Sequence, residues 1–238
     1  SPFDETAVDF LEELDAPLYK IASLEIVDIP LIRHVAQTGK PIIMSMGAAT
    51  IGEVADAVAA AREAGCEDLT LLVCTSSYPA SAADAHVSRI PAVAATFGVK
   101  VGYSDHAPGV GVSAAAVALG ATVIEKHLTI RRSDGSVDAE FSLEPHEFEA
   151  LVDACRDAAV AIGSPSAWSS PSEAESKRLR PSLWVTRAVR AGDPVTHENV
   201  RSVRPSGGLP PAEIDNVLGH VFAEDADAGT PLTWALLR

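Results

Sequence analysis

The sequence has few cysteines and no long apolar run, and each shortage argues against a class of protein. The three cysteines, Cys66, Cys74 and Cys155, are odd in number and lack Cys-x-x-Cys spacing, so neither a disulfide framework nor a cysteine zinc site is indicated. We interpret them as small buried hydrophobic residues. No apolar run approaches the roughly 18 residues that span a bilayer, and no basic-then-apolar leader opens the chain. We therefore predict a soluble, cytoplasmic protein.

Basic residues are also scarce. Lysine and arginine number 18 against 33 aspartates and glutamates, which gives a formal net charge of −15. Nucleic acids and anionic membranes require a basic face that releases their counterions, so this charge argues against both as partners. If the substrate is an anion, its attraction must come from a few local cations.

What the chain does contain is a repeated alternation of short apolar strands and amphipathic helices over residues 1–163. Apolar residues of the predicted helix Ile51–Ala64 recur at i, i+3, i+4 and i+7. Continuous apolar strands are typical of parallel sheets buried on both faces, and in β/α barrels the residues just past the strand C-termini face the active site. The predicted strands are Pro17–Ala22, Pro41–Met44, Leu69–Cys74, Val99–Tyr103 and Thr122–Ile124.

The character of the chain changes after the predicted helix Glu147–Ile162. Residues 164–178 begin with a serine- and proline-rich stretch without periodicity, which predicts a linker. Residues 179–238 predict a compact, mostly β module, because short β-like pieces alternate there with turn residues. Those pieces are Leu183–Val189, Val195, Val200–Val203 and Pro231–Leu237.

Five strands are few for a complete parallel barrel. An eight-stranded barrel with its helices takes about 250 residues and seldom fewer than about 200, whereas the alternating region has 163. Residues Ser1–Asp4 resemble the tail of an earlier strand that leads into the predicted helix Glu5–Leu14. The residues alone leave two alternatives: a truncated barrel, or an open, doubly wound sheet.

Two histidines follow adjacent predicted strands. His106 and His127 are 21 residues apart, so both imidazoles can point at one place above the sheet. Neutral imidazole suits a transition metal such as Mn²⁺, and two protein ligands leave positions open for water or substrate. A lone histidine is usually structural, but two at successive strand ends favour a metal site. We expect the carboxylates of Asp105 and Glu125 to point away from the histidines, since neighbouring strand residues face opposite sides.

A lysine lies inside the first predicted strand. Lys20 sits within an otherwise apolar run, and a charge in a buried strand requires a partner. An ammonium group among hydroxyl donors would bind an anion in a chain this acidic. We therefore expect Lys20 to meet an anionic group.

Five motifs, in this order and spacing, closely resemble the sialic acid synthase family. They are Lys20-Ile21-Ala22-Ser23, Ser104-Asp105-His106, Glu125-Lys126-His127-Leu128-Thr129, Phe141-Ser142-Leu143-Glu144-Pro145 and Arg204-Pro205. Ser1-Pro2-Phe3-Asp4 and Cys74-Thr75-Ser76-Ser77-Tyr78-Pro79 are most like the pseudaminic acid synthases, a branch of that family. The resemblance implies an α/β fold: a TIM-type (β/α)8 barrel that lacks its first two to three strands, followed by a small, mostly β SAF (antifreeze-like) domain.

The resemblance also implies a reaction. In that family, C3 of phosphoenolpyruvate attacks the aldehyde of an open-chain N-acylated amino sugar, water adds at C2, and phosphate leaves to give a nine-carbon 2-keto sugar acid. Pseudaminic acid synthase is the first interpretation, and N-acetylneuraminate or legionaminate synthase is the alternative. The family further implies a divalent metal, Mn²⁺ or Mg²⁺, and a homodimer whose C-terminal domain reaches the partner's site.

Residue roles carried over from the family depend on this match alone. The resemblance implies catalytic roles for Lys20, Glu25, His106 and His127, with both histidines also binding the metal. It implies substrate contacts for Ser1, Ser23, Ser45, Ser76, Tyr78, Ser104, Asp138 and Arg204. Ser76 stands where sialic acid synthases usually carry asparagine, and the segment before Asp138 lacks the usual proline.

Two interpretations from other classes remain open at this point. A class I aldolase would use Lys20 or Lys126 as a Schiff-base amine, which an apolar barrel would favour by lowering the pKa. Alternatively, the chain is an inactive fragment that acts as a binding or dimerisation module.

Overall fold

The structure is a computed structural model that describes residues 1–238, and it divides into two compact units. The first is Ser1–Gly163 and the second is Ser164–Arg238. Each unit has its own core of buried apolar side chains. No helix combines the length and the apolar character that crossing a bilayer requires.

The first unit is built on a parallel sheet whose strands are hydrogen-bonded in chain order. A doubly wound sheet reverses its strand order at a switch point, and this sheet does not. The doubly wound alternative is therefore wrong, and the sheet is a half-barrel. Its strands are β1 (Tyr19–Ile21), β2 (Ile42–Ser45), β3 (Leu69–Cys74), β4 (Lys100–Asp105) and β5 (Ile124–Lys126).

Six helices alternate with these strands. Thr50 caps α3 through a capping box with Glu53, which explains why that helix begins where the sequence predicts. Pro145 opens α6 two residues earlier than predicted, because the first helical position needs no backbone N–H. The helices are α1 (Glu5–Glu13), α2 (Ile29–Gln37), α3 (Ile51–Glu63), α4 (Arg89–Phe97), α5 (Gly111–Ala118) and α6 (Pro145–Ala161).

Burial along the sheet follows strand position. All six residues of β3 are buried, as expected for a parallel strand covered on both faces. The three residues of β5, at one edge, are only partly buried. The core therefore centres on β2, β3 and β4, and β1 and β5 are the two edges of the sheet.

The second unit contains an antiparallel pair, β6 (Ser182–Val185) and β7 (Val200–Val203), with isolated bridges around it. It also has two short helices, α7 (Ala174–Lys177) and α8 (Ile214–Val217). The predicted strand Pro231–Leu237 is wrong as a continuous strand. Its two ends form single bridges, and a 3₁₀ turn lies between them.

Candidate active site

The C-terminal ends of parallel strands lie at one edge of a sheet, and most of the predicted site residues meet there. Ser1 is exposed ahead of α1, and Arg204 is exposed directly after β7 in the second unit. Residues on or after the five strands are Lys20, Ser23, Glu25, Ser45, Ser76, Tyr78, Ser104, His106 and His127, with Asp138 in the segment between β5 and α6.

The two histidines lie side by side. Their ring centroids are 5.2 Å apart. Nδ1 of His106 is 3.1 Å from the carbonyl oxygen of Thr75, which only accepts hydrogen bonds, so Nδ1 carries the proton and Nε2 keeps a free lone pair. Burial lowers the pKa of both imidazoles, and for His127 the neighbouring His106 lowers the pKa further. Both rings are therefore neutral near pH 7, as metal ligands must be.

The donor set is small. No group of three or more His, Cys, Asp or Glu side chains is arranged to hold a metal ion. The nearest carboxylate recorded beside the pair is Asp138, whose Oδ2 is 3.7 Å from Nδ1 of His127. Two neutral imidazoles fit a Mn²⁺-class ion that completes its coordination with water or substrate oxygens, and they do not fit a closed structural zinc site.

Aromatic side chains pack against the histidines. The ring centroid of Tyr78 is 4.2 Å from that of His106 and 5.6 Å from that of Phe141. Phe141 in turn is 5.0 Å from His127. Burial raises the pKa of Tyr78, so its phenol is neutral. Phe141 belongs to a motif singled out in the sequence, yet no role was predicted for it. Strand periodicity could not reveal its position, because it lies in a loop.

The segment that carries Asp138 and Phe141 is fastened to the start of α6. The guanidinium of Arg132 forms hydrogen bonds with the carboxylate of Glu147, and the backbone N–H of Arg132 donates to Oε1 of Glu144 at 2.9 Å. Ser142 Oγ donates to the Asp138 carbonyl at 2.6 Å. These contacts hold the loop beside His127.

Lys20 has the anionic partner that its position demands. Its Nζ donates to the Ile21 carbonyl at 2.8 Å and lies 3.7 Å from Oε2 of Glu125. Ser104 Oγ donates to Oε1 of the same carboxylate at 2.8 Å. Burial lowers the pKa of Lys20, and the negative charges of Glu125 and Glu25 oppose that change.

The expectation that Glu125 points away from the histidines is wrong. Glu125 lies two residues before His127, which is one full strand period, so both side chains lie on the same side. Asp105 lies one residue before His106, and its side chain is buried on the other side, where it pairs with Lys126. Lys126 is therefore engaged in an ion pair away from the cluster, which argues against the aldolase interpretation for that lysine.

Small polar groups converge near the end of β2. The Oγ atom of Ser45 is buried and has no hydrogen-bond partner, which is rare enough to indicate a position for a ligand or water. A Cβ atom on Gly47 would lie 2.1 Å from Ser76 Oγ, 2.8 Å from Ser23 Oγ and 3.2 Å from Cys74 Sγ. We call the space that Ser23, Ser76 and Cys74 line the Gly47 pocket. Cys74 was interpreted only as a small hydrophobic residue, because a single thiol carries no motif.

A singly wound parallel sheet with its polar side chains gathered at the strand C-termini defines the β/α-barrel class of proteins. Comparison with known families narrows this class. The model of the NeuB family matches residues 1–167, and the SAF domain model matches residues 180–238. The chain belongs to the NeuB family.

Named relatives and solved structures agree with this assignment. The pseudaminic acid synthase of Helicobacter pylori is 38% identical over 98% of this chain and 69% of its own length. The N,N'-diacetyllegionaminic acid synthase of Legionella pneumophila is 36% identical over 98% of this chain and 67% of its own length. The crystal structure of a sialic acid synthetase from Leptospira borgpetersenii superposes with a TM-score of 0.69 at 35% identity, covering 74% of this chain and 61% of that one.

Proposed function

We propose that the chain acts as a pseudaminic acid synthase, joining phosphoenolpyruvate to an open-chain diacetamido-trideoxyhexose. C3 of phosphoenolpyruvate bonds to the aldehyde carbon, the aldehyde oxygen takes a proton, water adds at C2, and phosphate leaves. The products are a nine-carbon 2-keto sugar acid and phosphate. The supporting observation is that Lys20, the serine hydroxyls and the histidine pair lie together at the strand ends, in a chain 38% identical to pseudaminic acid synthases.

The histidine pair is the proposed metal site. His106, through Nε2, and His127 would hold a divalent ion such as Mn²⁺, which polarises an aldehyde oxygen when bound. The Thr75 carbonyl fixes the tautomer of His106. Tyr78 packs against the ring of His106 and Phe141 against the ring of His127.

The anion site is proposed to be formed by Lys20 and the hydroxyl groups. Ser23, Ser45, Ser76 and, after releasing its hydrogen bond to Glu125, Ser104 would donate to phosphate and carboxylate oxygens, and the unpartnered Ser45 hydroxyl supports this use. Lys20 would supply a positive charge beside these hydroxyl groups, in a chain whose formal net charge is −15. Ser1 is assigned here by the family resemblance alone.

The sugar is proposed to contact Glu25, Tyr78 and Asp138. Arg204 is assigned to the sugar of a partner subunit in a homodimer, with residues 164–178 as the linker between the barrel domain 1–163 and the SAF domain 179–238. The five strands are proposed to be part of an eight-stranded barrel, because β1 and β5 are unpaired edges and a closed barrel has none. We assign the protein to the cytoplasm.

Ligand binding tests this function first. Calorimetry is performed with Mn²⁺, with phosphoenolpyruvate, and with either the diacetamido sugar or N-acetylmannosamine. The expected result is binding of metal and phosphoenolpyruvate, with preference for the diacetamido sugar. Preference for N-acetylmannosamine would move the chain to the neuraminate branch, and failure to bind phosphoenolpyruvate would refute the proposed reaction.

Phosphate release then tests the partial barrel, with the Helicobacter pylori enzyme as positive control. If groups on further strands are needed, turnover by the 238 residues should be at least about a hundredfold below the control, since misplacement of about 1 Å already has that effect. Turnover equal to the control would contradict the partial barrel but not the function. If the chain binds its ligands but releases no phosphate, the binding-module interpretation is favoured only when a protein with the remaining strands added also releases none.

A further inference from the structure

A buried ion pair lies beneath the two histidines. Asp105 Oδ2 is 2.9 Å from Lys126 Nζ, and the two side chains are 0% and 1% exposed. The two residues are also directly paired in the register of β4 and β5. Each one immediately precedes a histidine, so their side chains point away from the cluster while their backbones continue into it.

The pair holds the backbone of Ala107, the residue after His106, from both sides. Asp105 Oδ1 accepts from the backbone N–H of Ala107 at 2.9 Å, and Lys126 Nζ donates to the carbonyl oxygen of Ala107. Ser113, fully buried in α5, donates from its hydroxyl to Asp105 Oδ2 at 2.6 Å. The Lys126 ammonium therefore contacts two groups. One is the carbonyl oxygen of Ala107, beside His106, and the other is the Asp105 carboxylate, which itself accepts from the Ala107 N–H.

Stability alone is a poor explanation for this arrangement. Replacing a buried ion pair by apolar side chains of similar volume is often neutral or stabilising, because two desolvated charges must recover their lost hydration. Apolar side chains cannot, however, form hydrogen bonds with both the N–H and the C=O of Ala107. The ion pair therefore fixes the direction of the backbone at Ala107, which apolar packing would define less closely.

We propose that Asp105 and Lys126 are positioning residues that set the orientation of the His106 and His127 imidazoles. The inference extends the proposed metal site. The pair fixes the backbone of Ala107, directly after His106 on one strand, and Lys126 continues directly into His127 on the next. Both rings then keep the separation that a shared ion requires. Replacing Asp105 and Lys126 by neutral residues should let the imidazole rings reorient while both histidines remain in the chain.

Two variants and one control test this proposal. Lys126→Met leaves the Asp105 charge unpaired and could prevent folding, so Asp105→Asn/Lys126→Met removes both charges together. Ile32→Ala creates a cavity in α2, outside β4 and β5, and serves as a control that lowers stability only. Each protein is studied well below its unfolding temperature, so that only folded molecules contribute.

The first measurement needs no metal. Nitrogen-15 NMR of the imidazoles reports which ring nitrogen carries the proton. Wild type should show His106 protonated at Nδ1, as the Thr75 carbonyl dictates, and the double variant should show a mixture of tautomers. The second measurement is Mn²⁺ affinity by calorimetry, which should fall about 10- to 100-fold in the double variant, as it does when groups that orient metal ligands are removed. Ile32→Ala should change neither.

The outcomes separate the two proposals. An unchanged His106 tautomer together with Mn²⁺ affinity within about twofold of wild type, despite a lower melting temperature, would overturn the positioning role. Failure of wild type itself to bind Mn²⁺ would overturn the metal site, and the imidazole spectra would still decide whether the pair orients the rings.

Discussion

Replacing Gly47 by alanine would fill the pocket formed by Ser23, Ser76 and Cys74. The new Cβ atom would lie 2.1 Å from Ser76 Oγ and 2.8 Å from Ser23 Oγ, both shorter than any normal contact. Gly47 does not have a positive φ, so the substitution brings no backbone strain. The two hydroxyl groups must rotate away, and Ser76, the nearer one, must move furthest.

The substitution should have a structural cost and a separate functional cost of similar size. Overpacking of this kind destabilises by about 1–3 kcal/mol. A hydrogen bond to a charged group contributes about 1.5–3 kcal/mol, so losing the Ser76 contact alone should weaken phosphoenolpyruvate binding roughly ten- to 150-fold. Mn²⁺ affinity should change much less, because the three atoms nearest the new Cβ belong to Ser76, Ser23 and Cys74 and to neither histidine.

Calorimetric titration of Gly47→Ala with phosphoenolpyruvate and separately with Mn²⁺ checks this prediction. Gly52→Ala is the matched control: its Cβ would meet nothing closer than Thr50 Oγ1 at 4.0 Å, and alanine in a helix should stabilise by about 0.5–1 kcal/mol. Unchanged phosphoenolpyruvate affinity in folded Gly47→Ala would refute the assignment of this pocket to the anion.

Two further predictions concern charge. Lys20→Met should abolish the rise in melting temperature that phosphoenolpyruvate gives, whereas Lys100→Met, at an exposed ion pair, should keep it. If both variants keep the rise, Lys20 does not bind phosphoenolpyruvate and only pairs with Glu125. Burial raises the pKa of Tyr103 to about 12, and burial likewise raises the pKa of Tyr19 and Tyr78, the other tyrosines of the chain. Because the folded state keeps phenol protons that the unfolded state loses, the contribution of the tyrosines to stability should be constant below about pH 10 and fall between about pH 10 and 12. Phenolate absorbance in the near ultraviolet measures the ionisation of the tyrosines on which this prediction rests. Ionisation of the tyrosines in the folded protein at pH 10 would contradict it.

Periodicity in the sequence was enough to predict that five strands occur in this order and to predict the edge of the sheet where polar residues meet, although the last strand, Ile124–Lys126, begins two residues later than predicted. Apolar runs define buried parallel strands, and the residues after them follow from topology. The choice between a barrel-type and a doubly wound sheet could not be made from the residues alone. Strand order depends on packing between elements, which a local pattern does not encode.

Contacts within the site were less accessible from sequence. The prediction for Glu125 was wrong because residues two apart on a strand face the same side, and Glu125 lies two residues before His127. The Gly47 pocket depends on a missing side chain and on three strand ends that approach one another in space. The position of Phe141 beside His127 follows from the Arg132–Glu147 contact across a loop, and such a contact has no periodic signal.

The chain-order pairing of the sheet has a consequence for how the site forms. Each strand pairs with the strand that precedes it in the chain, so every pairing closes a single helical crossover and has a modest entropic cost. We therefore expect the proposed anion-binding side chains of β1 to β3 to be in place before β5 pairs with β4. The two imidazoles meet only at that final pairing. An added divalent ion should accordingly leave the early steps of refolding unchanged and act by slowing the departure of β5 during unfolding.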